Sequence, residues 1–169
     1  MQLREAIAAD HPAILRLNLE SERFLSAMDP PKLQRLHGMA AFCRVGLDDR
    51  GEVAAFLLAF REGSDYQSEN YRWFAARYPR FLYVDRVVVA QSHQGRGWGP
   101  ALYDDLFTLA RAGDIDLVTC EIDADPPNPV SERFHARFGF REVGTQRVSY
   151  GGNKRVSLQA VRLGGVPAL

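Results

Sequence analysis

Asp85-Arg86-Val87-Val88-Val89-Ala90-Gln91-Ser92-His93-Gln94-Gly95-Arg96-Gly97-Trp98-Gly99 is an apolar strand that runs into a glycine-rich turn and then a helix. The β-branched run Val87-Val88-Val89 has the composition of a buried strand. Gly95, Gly97 and Gly99 place residues without a Cβ where a backbone turns sharply or meets something closely. Beyond them, Pro100 suits a first helical turn, and Leu102, Leu106 and Leu109 recur on one helical face. A glycine turn feeding a helix N-terminus offers N–H groups and the positive end of the dipole, which suits phosphate. Two common phosphate fingerprints fail here. G-x-G-x-x-G would need glycine where Pro100 stands, and no Gly-Lys-Ser/Thr follows for a P-loop.

Residues 81–90 alternate with period two, so Phe81, Tyr83, Asp85, Val87 and Val89 share one face of the strand. Upstream, residues 2–8 read as an opening strand. Asp10 is expected to cap a helix with Pro12 in its first turn, carrying Ile14, Leu15, Leu17, Leu19 and Phe24 to about Leu25. Asp29-Pro30-Pro31 breaks that helix, and a second follows with Leu33, Leu36 and Met39 at spacing three. Residues 45–53 read as a hairpin with a polar turn ending in Gly51, and 53–60 as a continuous apolar central strand. Residues 61–80 are the least patterned. A helix over 70–78 would carry Trp73 and Phe74, which are expected in the core ahead of a pocket wall or a dimer contact.

Downstream, the helix after the glycine turn is expected to end near Ala112, stopped by Gly113. Residues 117–123 form the next strand, whose Glu121 and Asp123 share a face and are out of place for pure packing. Asp125-Pro126-Pro127-Asn128-Pro129 is a breaker, and Asn128 or Ser131 caps a helix over 130–138 that Gly139 ends. Residues 141–149 and 154–163 alternate as two strands, with Gly151-Gly152-Asn153 as the turn between them.

Composition narrows the class. The chain has 169 residues, 46% of them hydrophobic and 25% charged, with a formal net charge of zero, as in an ordinary soluble globular domain. That balance favours neither nucleic acid nor a membrane surface as partner, and no run reaches the ~18 apolar residues of a membrane span. The first residues lack the apolar block of a signal peptide, and Cys43 and Cys120 lack metal or redox spacing, so a cytoplasmic setting is expected. Four scattered histidines show no metal-ligand spacing; His11 and His37 read as helix-surface residues, and His93 as a positional or nucleotide contact.

Gln94-x-x-Gly97-x-Gly99 after a valine-rich strand resembles the pyrophosphate motif Q/R-x-x-G-x-G/A of the GNAT superfamily of acyl-CoA-dependent N-acyltransferases. A second block, Asn128-x-x-Ser131-x-x-Phe134-His135-x-x-Phe138-Gly139-Phe140, resembles that family's N-x-x-A/S-x-x-L/F-Y/H-x-x-x-G-F. The two blocks lie in the family's order and at its separation. The resemblance implies one α/β (α+β) domain over residues 1–169, with a mixed, mostly antiparallel sheet of about seven strands and four or five helices.

It also implies a chemistry: acetyl-CoA as donor and direct transfer to the amine of a small or amino-acid-like acceptor, with no metal. On that resemblance Gln94, Gly95, Arg96, Gly97, Trp98, Gly99 and Pro100 hold the pyrophosphate, through N–H groups from Gly95 to Pro100. Val87, Val88 and Val89 offer a strand edge to the pantetheine arm, Asn128 contacts the same arm, and an N–H near Val89 meets the oxyanion. His135 stands where many members carry Tyr as general acid to the thiolate. Asp123, Asp85 and Glu121 are the candidate bases or partners for a cationic amine, with a water chain as the alternative. Residues 24–29 are the stretch the family places over the acceptor, and the C-terminal strands are where its members often dimerise. A second reading is a non-catalytic acyl-CoA-binding or regulatory module of the same fold.

Overall fold

The computed structural model describes residues 1–150 and 154–164. The turn expected at residues 151–153 lies outside the described residues. Among the described residues, seven strands and five helices follow in chain order: β1 (Gln2–Glu5), α1 (His11–Glu20), α2 (Pro30–Met39), β2 (Phe42–Leu47), β3 (Val53–Arg61), α3 (Glu69–Ala75), β4 (Leu82–Val89), α4 (Trp98–Ala112), β5 (Leu117–Asp125), α5 (Pro129–Ala136), β6 (Arg141–Arg147) and β7 (Arg155–Arg162). The strands make one mixed sheet in the order β1-β2-β3-β4-β5-β7-β6. β4 and β5 run parallel, from Leu82 opposite Val118 to Val84 opposite Cys120. The pairs β1–β2, β2–β3, β5–β7 and β6–β7 are antiparallel.

Contacts gather the chain into two compact units, residues 1–60 with 85–108 and residues 61–84 with 109–169. In the first, β3 is buried along its length up to Phe60, which is why its sequence is a continuous apolar run rather than an alternation. Ile14 and Leu17 of α1 and Leu33 and Leu36 of α2 are buried at helical spacing. In the second unit, Tyr71 and Phe74 of α3 cluster with Phe81 and Tyr83 at ring separations of 5.6 to 6.3 Å. Phe74 is fully buried, whereas Trp73 is half-buried and lies over Gly144, where an added Cβ would stand 2.5 Å from its ring. β6 closes one end of the sheet order, and its exposed Arg141, Glu142 and Arg147 discourage edge pairing.

Three local expectations are corrected. α1 ends at Glu20, because the Ser21 N–H turns back onto the carbonyls of Asn18 and Leu19; Phe24 lies beyond the helix and is 43% exposed. The Asp10 side chain does not cap α1. Its carboxylate takes both terminal nitrogens of Arg4, at 2.7 and 2.8 Å, and the Ile7 N–H at 2.8 Å, a stronger set than one helix N–H. The Arg4 guanidinium, foremost, holds that carboxyl below the usual carboxylate range. His11 and His37 do not project separately into solvent: His11 Nε2 and His37 Nδ1 meet at 2.8 Å, both residues half-buried.

Candidate active site

The glycine turn belongs to the first unit. After β4, the Ala90 N–H donates to the Ala54 carbonyl at 2.8 Å and His93 N–H to Ala90 at 2.8 Å, forming a short 3-10 turn over Gln91–His93. Gln94 Nε2 folds back to donate to the Val89 carbonyl at 3.3 Å. Gly95 and Gly97 then adopt φ of +74° and +84°, a region that L side chains seldom occupy. An added Cβ at either would meet no protein atom within 4 Å, so both glycines border open space. The Ala101 N–H reaches Gly97 O at 3.0 Å, and α4 starts at Trp98, two residues earlier than expected. The first N–H groups of α4 have no intrahelical acceptor. Pro100, expected to contribute an N–H to the phosphate, has none to give, so the donors available are those of residues 95 to 99. The residues present fit an anionic, pyrophosphate-bearing group.

Along β4, Asp85, Val87 and Val89 are half-buried while Arg86 and Val88 are buried, as the alternation predicts. β4 is the fourth strand of seven, and its parallel ladder with β5 runs from Leu82 to Val84, stopping short of Val87, Val88 and Val89. The Asp85 carboxylate is engaged by Arg86 Nε at 2.7 Å. Arg86, 4% exposed, donates Nη1 to Asn18 Oδ1 at 2.6 Å and to the Ser26 carbonyl at 3.3 Å, and Nη2 to Ser26 Oγ at 3.2 Å. Lys32 Nζ adds bonds to Ser26 Oγ at 3.2 Å and to the Ala27 carbonyl at 2.7 Å. Two cations thus hold residues 26–27, inside the stretch expected over the acceptor. Arg86→Met is expected to destabilise the protein by about 3 kcal/mol, because it removes the buried cation that bonds both the Asp85 carboxylate and the fully buried Asn18. Urea unfolding measures this; a loss below about 0.5 kcal/mol would contradict the network's role.

In the second unit, Asn128 Oδ1 accepts the Ser131 N–H at 3.2 Å and caps α5. One turn on, His135 is 4% exposed, and its ring stands edge-on to Phe134 and Phe140 at 5.1 and 5.2 Å. Its Nδ1–H donates to the Ser131 carbonyl at 2.8 Å, which leaves the lone pair of the neutral ring at Nε2. Burial pushes the imidazole below its usual range, against a smaller upward pull from the Ser131 carbonyl, so the ring is neutral at pH 7. Asp123 faces Lys154 Nζ at 2.8 Å and lines a cleft of about 460 Å³ with Glu132, Arg141, Glu142, Ser157 and Gln159. Glu121 accepts the Tyr83 hydroxyl at 2.5 Å. Both strand acids that looked out of place as packing residues therefore carry a specific partner. Among the described residues, no group of three or more His, Cys, Asp or Glu could hold a metal ion.

Burial raises both thiols, that of Cys43 to about 12 and that of Cys120 well above its usual value, so neither is a ready nucleophile. The sequence reading gave Asn18 no role, and placed Ser26 only within the acceptor stretch and Gly46 and Asp48 only within the hairpin. Two signals were present: a charged Arg86 inside a valine run, and a glycine within β2, which marks close backbone approach.

A family model described as the acetyltransferase (GNAT) family matches residues 3–140. A phosphinothricin N-acetyltransferase of Streptomyces coelicolor is 48% identical over 61 residues, 36% of this chain and 34% of that protein. The chain spans about a third of the length of the curated relatives it matches. Among solved structures, a ribosomal-protein-alanine N-acetyltransferase from Brucella melitensis superposes with a TM-score of 0.73 at 22% identity, over 96% of this chain and 100% of that one. A phosphinothricin acetyltransferase from Sinorhizobium meliloti, solved in complex with AcCoA, gives 0.72 at 20% identity, over 96% and 88%. At these identities the structural likenesses bear on the fold: a seven-stranded mixed sheet with five helices, as the sequence implied.

Proposed function

This chain belongs to the acetyltransferase (GNAT) family, and from that premise we propose that it is an N-acetyltransferase using acetyl-CoA as donor and passing the acetyl group directly to an amine. One observation carries the reading: two positive-φ glycines bordering open space at the N-terminus of a 15-residue helix. The acceptor in this proposal is a small, amino-acid-like amine, supported by the kinship with a phosphinothricin N-acetyltransferase. A single domain over residues 1–169, a cytoplasmic setting and a homodimer belong to the same proposal. The family match over residues 3–140 supports the first and the two free cysteines suit the second.

Acetyl-CoA would supply an activated thioester. In this reading the N–H groups of residues 95–99 bind its pyrophosphate, with Gln94 and Arg96 beside them, and Val87, Val88, Val89 and Asn128 contact the pantetheine arm. His135 serves as the proton carrier. Its neutral ring accepts a proton from the amine at Nε2 while the Ser131 carbonyl holds Nδ1–H, and it then returns that proton to the leaving thiolate. Asp85 and Asp123, each already paired with a cation, serve as charge partners for the amine rather than as free bases.

The testing experiment is thiol release from acetyl-CoA with a panel of amino acids, phosphinothricin and polyamines. The reading expects turnover with an amino-acid-like member and none without amine. A second reading, the non-catalytic acyl-CoA-binding module, is favoured by one observation, the burial of His135 against Phe134 and Phe140. It expects donor binding, no turnover with any amine, and no effect of His135→Ala.

A further inference from the structure

We propose that Asp48 and His93 are positioning residues for the glycine turn, forming with Gly46 and Trp98 a brace that holds residues 94–99 in the shape that receives pyrophosphate. The inference rests on the acetyl-CoA reading above and deepens it.

Glycines at 95, 97 and 99 give the turn its conformation but also leave it free to abandon it, so a bound shape has to be imposed from outside the turn. The residues on either side of the loop supply that constraint. Trp98, directly after Gly97, is 5% exposed, and its ring sits on the backbone of β2 at Gly46. A Cβ there would stand 2.6 Å from Trp98 Cζ3 and 2.7 Å from Cε3, so the indole needs a glycine beneath it. His93, directly before Gln94, places its ring edge-on to Trp98, with centroids 5.8 Å apart and planes at 82°. Residues 93 and 98 therefore clasp each other across the loop.

The clasp is tied to the β2–β3 turn. His93 Nε2 lies 3.5 Å from Asp48 Oδ2, and Nδ1 lies 2.9 Å from Ser92 Oγ. Asp48 is fixed by its own turn: Oδ1 accepts the N–H of Arg50 at 2.9 Å and of Glu52 at 3.0 Å. Those two N–H groups, the Glu52 one foremost, hold its carboxyl below the usual carboxylate range. One carboxylate oxygen thus serves the hairpin and the other faces His93. None of these side chains is needed to touch the reacting atoms; they act through the backbone of residues 94–99.

The test uses the full chain, with Trp73→Phe as background so that Trp98 alone reports by fluorescence. Gly46→Ala is expected to shift Trp98 emission to the red and weaken acetyl-CoA binding about tenfold, with kcat at saturating donor within about twofold of the parent. Asp48→Asn, which keeps the turn-side oxygen, is expected to weaken binding about threefold and to speed hydrogen exchange over residues 94–101. A displaced Trp98 with unchanged affinity, or a loss confined to kcat, overturns the proposal. Should Gly46→Ala not fold, Asp48→Asn decides alone. Should the parent protein bind no acetyl-CoA, the functional reading falls. The brace is then judged by exchange over 94–101, and an unchanged rate in Asp48→Asn overturns it.

Discussion

Replacing His135 by Phe is expected to lower kcat by about 10²- to 10⁴-fold, the contribution typical of a positioned acid–base group, while the Kd for acetyl-CoA stays within about twofold. The substitution suits the site sterically, because His135 is already surrounded edge-on by Phe134 and Phe140 and is 4% exposed. What it removes is the nitrogen pair: Nδ1, held by the Ser131 carbonyl at 2.8 Å, and Nε2, the lone pair that the mechanism uses. The pH dependence has a definite sign. Burial pushes the folded-state pKa below the ordinary 6.5, so the working neutral ring is fully present above pH 6.5 and lost as pH falls through the folded value. Activity should therefore carry an acid limb below pH 6.5 that is absent from the residual rate of His135→Phe. Stability shares the sign. The unfolded chain takes up the proton more readily, so this contribution is present above 6.5 and lost as pH falls through the folded pKa. Kinetics unchanged by the substitution would remove His135 from the mechanism and favour the binding module.

Gly97→Val carries the second large effect, a loss of acetyl-CoA affinity of about 10³-fold, which corresponds to about 4 kcal/mol. Two causes combine. A β-branched residue at φ of +84° is strained by about 1–3 kcal/mol, and relieving that strain moves the N–H groups that precede α4. The isopropyl group would also project into the open space bordering the turn, the volume assigned to the pyrophosphate. No protein atom lies within 4 Å of an added Cβ, so the free protein should still fold, and the loss should appear in binding rather than in expression. Circular dichroism alongside titration separates the two. Retained affinity in a folded Gly97→Val protein would sink the cradle.

The sequence was most legible where one physical cause dominates. The unbroken run of β3 could only be a strand buried along its length, and the glycine turn between valines and a leucine-spaced helix had one sensible geometry. Element boundaries followed less well, since α1 stops where Ser21 turns back onto Asn18 and Leu19, a local hydrogen-bond choice that hydrophobic spacing does not encode. Asp10 was misplaced for a related reason: its better partner, Arg4, comes from a neighbouring strand rather than from the helix it precedes. The candidate site divides the same way. Gly95, Gly97 and Asn128 announced themselves by spacing, whereas the partners of Asp85, Asp123 and His93 depend on Arg86, Lys154 and Asp48. Of those three, Lys154 and Asp48 lie dozens of residues away in sequence. Arg86 is adjacent to Asp85, yet its other partners, Asn18 and Ser26, emerge only when α1 and the segment after it fold over β4.

Titration calorimetry with acetyl-CoA, CoA and ATP tests the central claim most directly. The account predicts micromolar binding of acetyl-CoA and CoA, with ATP too weak to measure, because the proposed cradle would join a pyrophosphate turn to a strand that receives the pantetheine arm. Binding of none of the three would mean that the Gly95–Gly99 turn is structural, and the acetyl-CoA reading would be wrong.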